Sequence, residues 1–120
     1  MLELCSDCVQ PESIKQLAPC LALQRGLTRL LLGLGRVGAA GAQALEQHMH
    51  AHPSLASQTL MLQCVDLATM SSLARWYKTL PELHDVLFDH IIFDAPDAER
   101  EFARMKNELH PGCRVERIGA

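Results

Sequence analysis

The stretch that most constrains the fold is TRLLLGLGRVGAAGAQALEQ, residues 28–47. An apolar run leads into three glycines at fixed offsets, and an alanine-rich segment follows. Leu27 to Leu32 has the composition of a short buried strand. Ala and Leu then favour a helix, with Val37, Ala40, Ala44 and Leu45 on one face. The same change of period recurs down the chain. TLMLQCVDL predicts a second strand ending in Asp66, FDHIIFDAP a third and CRVERI a fourth. Between them, TMSSLARWYKTLPELHDVL predicts a helix capped by Thr69 or Ser71 and divided at Pro81. DAEREFARMKNELHPG predicts an amphipathic helix with Asp97 as cap, Phe102, Met105 and Leu109 inward, and Gly112 as its stop. Near the start, PESIKQLAPCLALQRG opens as a helix with Pro11 and Glu12 in its first turn, and Pro19 is expected to interrupt it. No internal repeat is evident. Alternating strands and helices predict an α/β fold with a mostly parallel sheet.

Gly33, Gly35 and Gly38 form G-x-G-x-x-G directly after a strand and at the opening of a helix. In a dinucleotide site each glycine has a task. The first makes the turn, the second lets a pyrophosphate reach the backbone, and the third lets helix and strand pack closely. The amides around Arg36 and Val37 and the helix dipole would then face the anion. Asp66, at the end of the next strand, could accept hydrogen bonds from a ribose. It lies 28 residues past Gly38, against an expected spacing of about 20, and the loop HAHPSLASQ absorbs the excess. Arg36 could pair with a phosphate, and Asp94 could line the same cleft from the third strand. These features predict a Rossmann-like three-layer sandwich of four to five strands with helices on both faces. Residues 27–120 would form that domain and residues 1–26 a helical extension. The alternative is a glycine turn kept for packing, with nothing bound. The last strand runs nearly into the C-terminus, as expected of a domain within a longer protein.

LLLGLGRVGAAGAQAL resembles the opening of TrkA-N (RCK, or KTN) regulatory domains of potassium transport systems. HIIFDAPDAEREFARMKNELHPGCRVERIGA resembles their later strand-helix-strand. The resemblance implies a Rossmann-like fold, NAD or an adenine nucleotide as ligand, dimerisation, and control of ion flux without catalysis. Where that family carries a short strand with GD, this chain has ATMSSLARWYKTLPELHDV. Its first 26 residues have no counterpart there.

Composition narrows the alternatives. A net charge of −3, with scattered basic residues, excludes a general nucleic-acid binder. The five cysteines are an odd, irregularly spaced set, not a disulfide framework. No segment has the length of a membrane span or the form of a secretory leader, so a reduced cytoplasmic protein is expected. GLGRVGAAG lacks the lysine and hydroxyl of a P-loop. Cys5-Ser-Asp-Cys8 and the pair His48 and His52 are the metal candidates. One C-x-x-C falls short of the usual four ligands of a structural zinc, so an unligated segment is favoured. His48 and His52 suit a solvated helix end. No catalytic constellation assembles. Trp76 and Tyr77 belong either to the core or to a partner surface.

Three functions are therefore carried forward. The first is a non-catalytic NAD or adenine-nucleotide-binding regulatory domain, acting as a homo-oligomer or with a partner protein in a larger assembly. The second is a ligand-free scaffold that docks a partner around Trp76 and the N-terminal segment. The third is a fragment of an NAD-dependent oxidoreductase.

Overall fold

The computed structural model describes residues 2–9 and 11–119. In chain order the elements are β1 (Leu2–Val9), α1 (Pro11–Ala22), β2 (Arg29–Gly35), α2 (Gly38–His48), β3 (Ser57–Met61), β4 (Cys64–Val65), α3 (Leu67–Thr79), β5 (Asp85–Asp89), β6 (Ile92–Phe93), α4 (Pro96–Glu108) and β7 (Arg114–Ile118). Five strands form one parallel sheet in the order β1-β2-β3-β5-β7, and β4 pairs with β6 in a small second sheet. The α/β class and the parallel sheet agree with the expectation from sequence.

The arrangement of the helices differs from that expectation. Sheet order follows chain order without reversal, so crossovers of a single hand leave every helix on the same side. Consistently, α1 packs on α2, α2 on α3, and α3 on α4. The helices form one row against one face of the sheet, giving two layers and not three. Residues 1–26 are likewise no separate extension: β1 pairs with β2, and α1 places Ile14, Ala18 and Leu21 in the core.

Strand register exposes a repeat. Leu2, Leu30, Gln58 and Val86 face one another at intervals of 28 residues, and Val115 follows after 29. Each unit is a strand, a tight turn and a helix, which is the make-up of a solenoid. The period falls within the roughly 20–29 residues of leucine-rich repeats. Leu27, Leu30 and Leu32 recur as Leu55, Gln58 and Leu60, then as Leu83, Val86 and Phe88, and all nine are buried. Ile14, Ala42, Met70 and Ala98 recur at the same interval in the helices, each fully buried. Strands β3 and β5 alternate buried with half-buried residues, because only one sheet face is covered.

Local signals mostly placed the helices and misjudged their ends. α1 runs through Pro19 without a break; its buried stripe of Ile14, Ala18 and Leu21 holds it against α2. The packing there is close, since a Cβ on Gly41 would lie 3.3 Å from Ile14. In α2 the buried residues are Gly38, Gly41, Ala42, Ala44 and Leu45, while Ala40 is exposed. Asp66, not Thr69 or Ser71, caps α3, and Ala95, not Asp97, precedes α4. α3 ends at Thr79, before Pro81.

Gln58 occupies an inward position where other units carry an aliphatic residue. Its Oε1 accepts a hydrogen bond from the Tyr77 hydroxyl, and its Nε2 donates to the Thr59 carbonyl at 2.9 Å. Burial holds the Tyr77 phenol well above its usual range. Trp76 is also fully buried and donates from its indole to the Met49 carbonyl at 3.1 Å. Trp76 and Tyr77 are therefore core residues, and the docking surface expected around Trp76 is absent.

Candidate binding surface

One set of open features lies where the sheet strands end. Directly after β3, β5 and β7 the chain passes through a left-handed residue: Leu62 (φ 56°), His90 (φ 54°) and Gly119 (φ 79°). For a non-glycine residue this backbone costs about 1–2 kcal/mol. Main-chain bonds to the next unit offset that cost. The Leu62 amide donates to the Asp89 carbonyl at 2.9 Å, and the His90 amide to the Ile118 carbonyl at 2.8 Å. The turn then enters the small β4–β6 sheet, where Ile92 donates to the Gln63 carbonyl at 3.0 Å.

This turn leaves apolar side chains outward. Leu62 is 48% exposed and Ile92 60% exposed, and Ile118 is also exposed. A pocket of about 320 Å³ lies between the two rows of turn residues, lined by Arg36, Leu62, Gln63, Cys64, His90 and Ile92. The Nδ1 of His90 and the Asp89 carboxylate lie 2.5 Å apart at its edge.

Gln63 underlies the pocket and ties two units together. It is buried; its Oε1 accepts from the Val37 amide at 3.2 Å, and its Nε2 donates to the Leu32 carbonyl at 3.0 Å. One side chain thus satisfies backbone groups of the preceding turn, which would otherwise be costly to bury. The Val37 amide, one of the donors a phosphate cradle would use, is directed at Gln63.

The seven residues proposed for a nucleotide are spread along the ends of three units. Gly33 lies within β2, opposite Met61, and Gly35 ends that strand. Arg36 and Val37 form the turn, and Gly38 begins α2 with a φ of 70°. Gly38, Asp66 and Asp94 occupy the same position of successive units, so the 28-residue interval that seemed long for a ribose acid is the repeat itself. Asp66 is the N-cap of α3 and accepts from the Thr69 amide at 2.8 Å. Hydrogen bonds from Thr69 hold its carboxyl below the usual range, with the Arg36 charge a smaller contribution. Asp94 meets Arg36 at 3.8 Å, an ion pair too long for a hydrogen bond. The fold therefore brings Arg36, Asp66 and Asp94 onto one rim and leaves Gly33 in the sheet.

The metal candidates separate. His52 is buried, with Nε2 against the Gln24 carbonyl at 3.0 Å and Nδ1 accepting from the Ser54 amide at 3.3 Å. Its ring links two loops, while His48 is exposed at the end of α2. The side chains of Cys5 and Cys8 lie outside the described residues. Among the described residues no group of three or more His, Cys, Asp or Glu is placed to hold a metal ion, and no helix is long and apolar enough to cross a membrane.

Leu62, Gln63 and Ile92 carry no sequence signal of their own. Writing the chain in rows of 28 would have aligned Leu27, Leu55 and Leu83, and Val37, Val65 and Phe93, and so located the turn between them.

No protein-family model matches the chain, and no curated protein matches it. Among solved structures it is similar to one described as leiomodin-1 actin-binding site 2, with a TM-score of 0.76 at 16% identity. That likeness covers 98% of this chain and 70% of the other, and it concerns the fold alone.

Proposed function

We propose that the chain is a non-catalytic docking module that holds a partner protein against the strand-end rim and the adjoining open face of the sheet. The supporting observation is the pair of exposed aliphatic side chains, Leu62 and Ile92, flanking a 320 Å³ pocket on a solenoid whose other sheet face is buried. Stacked units of this kind present extended surfaces suited to macromolecules, and exposed apolar patches with polar rims mark such contacts.

A nucleotide role finds less support in the geometry. Ligands of open α/β sheets sit where strand order reverses, and here the order runs straight from β1 to β7. The glycine turn also gives its Val37 amide to Gln63.

Actin is the first partner to test, because the similar solved structure is named for an actin-binding site. Co-sedimentation and cross-linking of the wild-type chain would be compared with Leu62→Asp and Ile92→Asp. Both substituted side chains are already solvated, so both variants should fold while losing the partner. Thermal shift with NAD, NADH and ATP is the opposing arm. A nucleotide at a hundred times its dissociation constant would add about 2.7 kcal/mol. Such a gain, with partner binding unaffected by both substitutions, overturns the docking role.

A further inference from the structure

The rim pocket between the Leu62 and Ile92 turns carries more acid than base. Two bases line it, Arg36 and His90, and each is already faced by a carboxylate. Arg36 meets Asp94 at 3.8 Å, and its charge also acts on Asp66. The Nδ1 of His90 lies 2.5 Å from the Asp89 carboxylate. Three aspartates thus stand around a single arginine. They are not equally committed. Asp66 accepts from the Thr69 amide as the cap of α3, and Asp89 is only 22% exposed beside His90. Asp94 is 42% exposed, and its distance from Arg36 is too long for a hydrogen bond. Among the described residues nothing donates a hydrogen bond to its side chain. The pocket itself is walled by aliphatic side chains, and its volume of about 320 Å³ suits a side chain or two of a partner.

We propose that the partner segment seated on this rim is basic: a large apolar side chain enters the pocket against Leu62, and a neighbouring lysine or arginine meets Asp94. The inference rests on the docking role proposed above and adds the chemistry of what docks. A cation brought to Asp94 finds an acceptor that no donor of this chain occupies, and both groups keep part of their water, so little desolvation opposes the pair. Arginine fits best, since its planar fork can bond both carboxylate oxygens. An acidic segment would have to draw Arg36 away from Asp94 and Asp66 and lie beside three like charges. An apolar anchor with charge at its border is also the usual build of a protein contact.

Short random peptides displayed on phage, selected on the intact chain, test both the docking role and its chemistry. Leu62→Asn serves as the control surface: it removes the aliphatic wall, suits left-handed backbone and adds no charge. Sequences retained by wild type and lost on Leu62→Asn should place lysine or arginine beside a large apolar residue. Synthesised and followed by fluorescence anisotropy, they should bind Asp94→Asn about two- to fivefold more weakly, as for exposed ion pairs. Asp89→Asn should weaken them in the same direction, and rising salt should weaken all binding. Arg36→Gln should bind them more tightly than wild type, because it releases Asp94 and Asp66; loss of a merely structural ion pair would not tighten binding. Thermal melts should show each variant folding as cooperatively as wild type. Leu62-dependent peptides that are acidic or uncharged overturn the basic chemistry and leave the docking role standing. So does weaker binding by Arg36→Gln, or affinity unchanged in both aspartate variants. A selection that yields no Leu62-dependent sequence overturns the docking role and this inference with it.

Discussion

The turns after β2 and after β3 hold the same place in successive units and reach it by different means. The earlier turn relies on glycine: Gly33 and Gly35 in the strand, and Gly38 with a φ of 70° at the helix start. The later one has side chains at every equivalent position. Met61 stands opposite Gly33, Gln63 supplies hydrogen bonds to the preceding turn, and Asp66 caps its own helix. Glycine there permits a backbone path, whereas Gln63 and Asp66 hold one in place. The two corners join equivalent elements by different backbone, since Gly38 is left-handed at a φ of 70° where Asp66 is extended at a φ of −93°, so a glycine pattern that elsewhere marks a phosphate cradle here belongs to a strand-to-helix corner of one repeat unit.

The strongest way to break the comparison is Gln63→Leu. It removes the bonding partner of the buried Val37 amide and one acceptor's donor at Leu32, and should cost about 2 kcal/mol by urea denaturation. If the cost is near zero, the glycine turn is self-sufficient and the later unit does not support it. Gly38→Ala tests the other side. Forcing a Cβ into left-handed backbone should cost about 1–2 kcal/mol, read the same way. Asp66→Ala should cost about 1 kcal/mol through loss of the α3 cap.

Asp66 also brings a pH dependence. Its carboxyl titrates lower in the folded chain than in the unfolded one. Its contribution is therefore complete above the unfolded value of about 3.9 and is lost as pH falls through the folded value. Wild type and Asp66→Asn should accordingly differ in the slope of stability only in acid, in melts below about pH 4, and not between about pH 6 and 8. The smallest effect is expected for Leu62→Gly. Relief of left-handed strain opposes the added freedom of the unfolded chain, so stability should stay within about 0.5 kcal/mol of wild type in the same denaturation assay.

The alternation of strand and helix was legible because it is carried by local period. Leu27 to Leu32, the face of Phe102, Met105 and Leu109, and the alanine-rich α2 each announce themselves within a few residues. Strand order was not, because no local pattern states which neighbour a strand will take. The repeat was hidden by substitution at its marker positions. Gln58 stands for a leucine and is made tolerable by hydrogen bonds with the adjacent Thr59 carbonyl and with Tyr77, 19 residues away. Gly35, Gln63 and Ile91 share one place in the turn and no chemistry. The rim escaped notice for the same reason: Leu62 and Ile92 look like core residues until the left-handed turn points them outward.

Arg29, Ser57, Asp85 and Arg114 stand side by side across the sheet, one from each successive unit. Excising residues 30–57 would join Arg29 to Gln58 in the phase the chain already uses. Size in such a protein can therefore change by insertion or loss of a whole module, with no other segment obliged to find a new route.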